Sequence, residues 1–504
     1  MKKILLVLLA VIAVTALVAC DNGTPADVEQ HHLGQYSVYG DPNTDPNGAL
    51  VEELTGVKTK YSMLPKDNAD TKLNLDISGG TKYTSMTLLP SQFYSLSSRN
   101  TLLDLTDLIE EHGPNIKKAI SEQKYWDTAS IDGKIYGIPQ LQASTNMGYS
   151  IFARKDILDQ HGLSVPKTTA ELKATLLALK GKIDIPMVLT SPTITVPIRA
   201  AFGVGNDWVK SGDEIKHWTQ TDGFTQYSDY LKDLNANGLL QEQFLTNPTA
   251  INQNTFFTTG KTAFIVSAWW TGNAIYTGIA AANGYKTDDQ ADMDRFMSKI
   301  DEYVAYVPTL TGPNDYKETP LNQSVAYFIS IPKYMKDAAV KTIKWMDAKL
   351  QVENHKKIAI GVEGTHHTVT DGKYYPILTP VTDGKTPFDE KTSADWFMTG
   401  IDTKLYGEYW GARARKLKTQ EHSWSTINAP ENYVNVVYDA LGLAPGFESW
   451  TKIQGAVAQQ LAEYYPLFVH NNQTFTLAKL QENLRTAGLD KAQKDINDWA
   501  KANK

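Results

Sequence analysis

Cysteine is almost absent: Cys20 is the only one in 504 residues. The chain beyond residue 20 therefore holds no disulfide, no thiolate zinc site and no cysteine nucleophile. An excess of positive charge is missing too. Lysine and arginine number 49 against 56 acidic residues, a formal net charge of −7. That balance argues against a nucleic-acid binder, which carries a basic face. No stretch after residue 18 is long and apolar enough to span a bilayer. There is no G-x-S-x-G, no H-E-x-x-H and no S-x-x-K with its partner motifs, so these hydrolase signatures are missing. Gly260-Lys261-Thr262 ends like a phosphate loop, but that pattern needs glycine where Thr255 stands. Asp41, Asn43, Asp45 and Glu52 occupy four calcium-loop positions, yet Pro46 replaces the glycine that such a loop requires. A polar turn is expected there, and no metal site or cofactor is expected anywhere. Adjacent histidines diverge on a strand, so His366-His367 is expected to make loop contacts to backbone or ligand rather than bind metal.

What is present is an ordinary globular balance, with 42% hydrophobic and 21% charged residues. The length exceeds what one hydrophobic core supports, so two or more lobes are expected. The 11 tryptophans and 25 tyrosines suit both cores and ligand platforms, because each ring is a flat apolar face with a polar handle.

The first residues, MKKILLVLLAVIAVTALVAC, place Lys2 and Lys3 before an apolar run from Ile4 to Val18. This is the pattern of a secretory signal. Its end, Leu17-Val18-Ala19-Cys20, resembles a bacterial lipobox. The expectation is a signal peptide over 1–19, acylation of Cys20, a polar tether over 20–32, and anchoring to the extracytoplasmic face of the cell membrane.

Beyond the tether, an alternation of short elements favours an α/β chain. Strands are expected at 35–40 and 57–63, and helices at 49–55, stopped by Gly56, and at 66–76. A helix is expected over 102–111 and a strand over 146–153. Thr168 and Glu171 form a capping box opening a helix to Leu179. Further helices are expected at 226–235, 337–350 and after Leu477. The apolar run Ala263–Ala268 leads into Trp269-Trp270. Strand alternation sends these two rings to opposite faces, so they cannot fill one core.

Several blocks, in order, carry a family resemblance. They are IDGKIYGIP (131–139), YSIFARKDIL (149–158), Pro166-Lys167-Thr168 and FTTGKTA (257–263). Tyr306-Val307-Pro308 before Gly312-Pro313, FISIP (328–332), Lys344-Trp345-Met346 and GVEGTHHTVTDGKYYPI (361–377) complete the set. In these the chain resembles extracellular solute-binding proteins that feed carbohydrates to ABC importers, of the maltose-binding type and its larger lipoprotein members.

The resemblance implies a two-lobed, periplasmic-binding-protein-like α/β fold with several interlobe crossovers and a hinge. It puts 33–143 and 308–350 in an N-terminal lobe, and 146–305 and 356–504 in a C-terminal lobe. It implies an oligosaccharide ligand, ABC permease transmembrane subunits as partners, a monomer, and no catalysis. Trp270 matches a family position where tryptophan stacks on sugar, and Trp269 is packing or a second platform. Gln92 and Phe93 lie where the first lobe contacts ligand, and Gln140 and Asn146 flank the hinge. Arg199 faces the cleft or caps a helix. Among Trp396, Trp410 and Trp424, one platform is expected. Arg413, with Arg415, suits an acidic sugar or forms a solvated helix face. Competing readings are a binder of uronate or sulfated oligosaccharides, a secreted glycan-active enzyme whose paired carboxylates the sequence leaves open, and an adhesin or peptide binder.

Overall fold

The computed structural model describes residues 28–502, apart from 144–146, 190–194, 242–251, 322, 401–402, 445 and 470–475. The signal segment, Cys20 and Asn146 lie outside the described residues. Among those described, no helix is long and apolar enough to cross a membrane.

Nine of the described strands build two sheets: β1 (Gln30–Gly34), β2 (Thr59–Met63), β3 (Ser85–Leu88), β4 (Ile138–Ala143), β5 (Tyr149–Arg154), β6 (Ile185–Val188), β7 (Thr262–Ala268), β8 (Val304–Val307) and β9 (Gln323–Ser330). The first sheet runs β2-β1-β3-β9-β4 and the second β8-β5-β7-β6. In the first, β1 is parallel to β2 and β3, and β9 runs antiparallel to β3 and β4. In the second, β7 is antiparallel to β5 and parallel to β6. The chain leaves the first sheet after β4, builds the second, and returns through β9.

Each sheet carries its own core. Leu33, Met86, Phe93, Ile138, Phe328, Trp345 and Leu350 belong to the first. The second sheet is packed on both faces. Phe264 and Val266 enter one cluster and Ile265 the other. All seven residues of β7 are buried, as expected of a central strand with two covered faces. The last two helices, Leu477–Thr486 and Leu489–Ala502, add Leu480, Leu484 and Ile496 to the second lobe. Ile358, Ala359, Phe397 and Met398 pack into the first core instead. The later part of the chain therefore serves both lobes, where sequence placed 356–504 in the C-terminal lobe alone.

Among the helices that pack on these sheets are α1 (Pro46–Thr55), α2 (Pro90–Ser98), α3 (Ala339–Leu350), α4 (Thr403–Ala414) and α5 (Lys418–Ile427). Gly56 ends α1 at φ 67°, the left-handed C-cap that glycine adopts without strain. The first strand is five residues earlier than expected. It is Gln30–Gly34, and 35–40 is a loop, so the tether stops short of residue 30. His32 disguises this strand. It is buried because Ser85 Oγ at 2.8 Å and Thr87 Oγ1 at 3.0 Å bond its two ring nitrogens. The helix expected from residue 102 starts at Thr106, where the Asp104 carboxylate accepts the Thr106 N–H.

Candidate ligand-binding site

β7 ends at Ala268, and Trp269–Thr271 form a single 3-10 turn. Thr271 Oγ1 donates to the Ala268 carbonyl at 2.6 Å, and Trp269 N donates to Gly148 O at 3.1 Å. The two tryptophans thus stand on a turn, and the turn separates them. Trp269 is 7% exposed and lies edge-on to Trp424 at 4.8 Å and Trp410 at 6.3 Å. Trp270 keeps 47% of its surface exposed and meets Tyr149 edge-on at 5.4 Å. Both lie just past the carboxyl end of a central strand, where ligands of α/β sheets bind.

The first lobe contributes a second aromatic group. Trp396 lies across the end of β1, where a Cβ on Gly34 would sit 2.1 Å from the indole Cζ2. Its Nε1 donates to Gln35 O at 2.9 Å. Beside it is a cavity of about 230 Å³, walled by the Gln35–Tyr39 loop, Thr87, Gln140, Tyr327, Asp395 and Trp396. Asp395 Oδ1 is shut off from solvent and has no hydrogen-bond partner among the described residues. Burial raises this carboxyl above its ordinary value, with Arg413 and the Asp395 and Trp396 backbone N–H groups opposing. Burial, and then the Asp395 charge, also raises the Tyr327 phenol.

Arg413 on α4 joins the two aromatic groups. It donates to Tyr39 Oη and to Thr392 O, each at 3.2 Å, and to Tyr409 Oη. Its guanidinium lies 5.1 Å over both Trp410 and Tyr409, a cation–π arrangement that orients it. The series Tyr39, Arg413, Trp410, Trp269, Trp270 runs from the first-lobe cavity to the exposed ring of the second lobe.

A larger cavity, about 590 Å³, lies between the lobes. Tyr94 and Phe328 wall it from the first lobe, Arg199 and Trp208 from the second, and Asp439, Leu441, Phe447 and Trp450 help complete it.

Other residues singled out from sequence have structural duties. Phe93 is fully buried, stacked on Phe328 at 4.0 Å, and presents no face to a ligand. Gln92 is 4% exposed and clamps three segments. Its Oε1 accepts from Gln35 Nε2 and Leu89 N, and its Nε2 donates to Asp70. Arg199 is 2% exposed. It donates to Val204 O, Asn206 O and Asp207, and lies 3.8 Å over Trp218. It pins its own loop and caps no helix. Trp410 and Trp424 flank Trp269 as packing. Arg413 and Arg415 do not form a solvated face. Arg415 is largely buried and donates to Tyr374 O at 3.0 Å, paired with Glu408. His367 is buried and bonds Ile360 O at 2.8 Å, the backbone contact expected of that loop. No group of three or more His, Cys, Asp or Glu residues that could hold a metal occurs among the described residues.

Sequence reasoning missed Asp395, Tyr327 and Tyr39. The only local hint was the acid–aromatic pair Asp395-Trp396.

Comparison with known proteins fits this geometry. Residues 50–294 match the family described as bacterial extracellular solute-binding protein. An uncharacterized protein in the butB 5′ region of Niallia circulans is 31% identical over 220 residues, covering 44% of this chain and 76% of that one. The chain belongs to the bacterial extracellular solute-binding protein family. Within it, this solute-binding chain is 26% identical over 237 residues to the fructooligosaccharide ABC transporter substrate-binding protein FusA of Streptococcus pneumoniae. That match covers 40% of this chain and spans 43% of FusA's length. In three dimensions it resembles the alginate-binding protein AlgQ2, crystallised without calcium ion, with a TM-score of 0.65 at 14% identity over 94% of this chain and 97% of that one. This likeness establishes the two-lobed fold.

Proposed function

We propose that the protein is the lipid-anchored capture subunit of an ABC importer. It binds an oligosaccharide between its lobes and presents it to the permease, as a monomer held to the extracytoplasmic membrane face through acylated Cys20, and it catalyses nothing. The observation that carries this reading is the pairing of the exposed Trp270 ring with a first-lobe cavity walled by Trp396, Gln140, Tyr327 and Asp395. A sugar ring has apolar C–H faces and a rim of hydroxyls. A tryptophan covers the face, and the polar groups satisfy hydroxyls that would otherwise be desolvated without partners. Hinge closure buries both at once. Family membership and the roles for which its relatives are named support it: FusA binds fructooligosaccharide and AlgQ2 binds alginate.

The test is calorimetric titration of the chain from residue 20 onward, together with product analysis, against a panel of oligosaccharides. The reading expects saturable binding of at least one glycan with no turnover. Release of shortened products would sink the importer role.

A further inference from the structure

We propose that the site selects uncharged oligosaccharides, with Asp395 as the acceptor for sugar hydroxyls, and turns away uronates and sulfated sugars. This rests on the capture role proposed for the protein and narrows its ligand class.

The relatives leave the choice open, since one is named for a fructooligosaccharide and another for alginate, a polyuronate. The side chains decide it. Among the described residues, no lysine or arginine walls the first-lobe cavity, and its one ionisable acid is Asp395. Asp395 Oδ1 is a buried acceptor without a donor among them. The Asp395 side chain walls the cavity, and an ionised carboxylate offers only acceptors to what enters there. Sugar hydroxyls are donors. A sugar carboxylate or sulfate has only acceptors there, and would set a second negative charge against the first.

The nearest cation does not reverse this. The guanidinium of Arg413 is engaged by Tyr39 Oη, Tyr409 Oη and Thr392 O and stacked on Trp410. It holds the wall and partly balances Asp395, so a second anion would have to displace those partners. Arg415 points its donors to Tyr374 O and Glu408. The two arginines that suit an acidic sugar in sequence are thus structural in the fold. Gln140 and Tyr327, paired across β4 and β9, place an amide and a phenol beside Asp395 at the same cavity. Such a set exchanges hydrogen bonds with neutral hydroxyls in both directions.

The experiment titrates the chain from residue 20 onward by calorimetry with neutral fructans, glucans, mannans and xylans, and with oligogalacturonate and oligoalginate, at low and high salt. The expected result is binding of a neutral oligosaccharide, with the uronates weaker by about tenfold or more at either salt. Asp395→Asn should weaken the neutral ligand by roughly tenfold to a hundredfold, the range for a hydrogen bond to a charged group. Its thermal midpoint should not fall, because a raised buried carboxyl is removed. Uronate affinity equal to or above the neutral ligand's overturns the selectivity but leaves the capture reading standing. So does an Asp395→Asn protein that keeps its far-UV circular dichroism and its neutral affinity within about twofold. Failure of every glycan to bind wild type overturns the capture reading, and this proposal with it. The wild-type comparison needs no variant to fold.

Discussion

The adjacent tryptophans give the sharpest test, because the structure assigns them opposite costs. Trp270 is 47% exposed, and an aromatic side chain of this size has up to about 250 Å² to bury. Roughly 100 Å² is therefore available to a sugar face, worth about 2.5 kcal/mol at 25 cal/mol per Å². Trp270→Ala should weaken ligand binding by about tenfold to a hundredfold and leave the free protein's unfolding midpoint nearly unchanged. Trp269 is 7% exposed and wedged against Trp424 and Trp410. Removing such a ring from a core costs about 3–5 kcal/mol. At about 2–4 °C per kcal/mol for a lobe of this size, the midpoint falls by roughly 6–20 °C. Differential scanning calorimetry and titration calorimetry on the same preparations read both quantities. If Trp270→Ala keeps its affinity within about twofold, or Trp269→Ala melts like wild type, the division of labour at the end of β7 is wrong.

Arg199→Ala should cost about 2–4 kcal/mol in denaturant unfolding, because Val204 O and Asn206 O lose their buried donor and Trp218 its stacking partner; lost affinity at normal stability would place Arg199 in the ligand site instead. Lys349 is fully buried above Trp345, and burial pulls its pKa down to about 7. From about pH 7 up to the free-lysine value near 10.4, the unfolded chain binds more protons, so this group's contribution to stability rises with pH. The stability advantage of Lys349→Met over wild type should be greatest at or below pH 7 and shrink toward pH 10 in chemical unfolding, and a pH-independent difference would refute the burial argument. Cys20→Ser should move the protein from the membrane fraction to the medium or periplasm, and membrane retention of that variant would refute the lipid anchor.

Much of the fold was legible because its signals are local. Thr168 caps a helix as expected, accepting the Glu171 N–H at 3.0 Å, although the Glu171 carboxylate returns to Lys167 N rather than to Thr168 N. The Asp132-Gly133 turn of IDGKIYGIP takes φ values of 52° and 76°, the positive pair that a two-residue hairpin needs. The misplacements have equally local causes. The helix expected from residue 49 begins earlier, because Asp45 caps α1 by accepting from Asn47 N, and Pro46 is its first residue, the position where proline's missing N–H costs nothing. The strand Gln30–Gly34 escaped notice because two histidines stand where periodicity wants apolar residues. Only the partners of His32, on a strand more than fifty residues away, explain why burial is tolerated.

The site was legible only in part, and for a different reason. Alternation along the strand does not say which of the two rings is free, and only the family resemblance singled out Trp270, whose ring is the exposed one. The first-lobe cavity could not be inferred, because Tyr39, Gln140, Tyr327 and Asp395 come from four segments that only the fold brings together. No period or motif links them. One constraint was written in the chain without being readable there. Gly34 ends β1 with no Cβ, and that vacancy is where the Trp396 indole lies. A glycine closing a strand signals close approach of something large, but the sequence does not say of what. Once Trp396 is seated there, its partner Asp395 is carried to the cavity wall, and the acid that sets ligand charge follows from a glycine more than three hundred residues earlier.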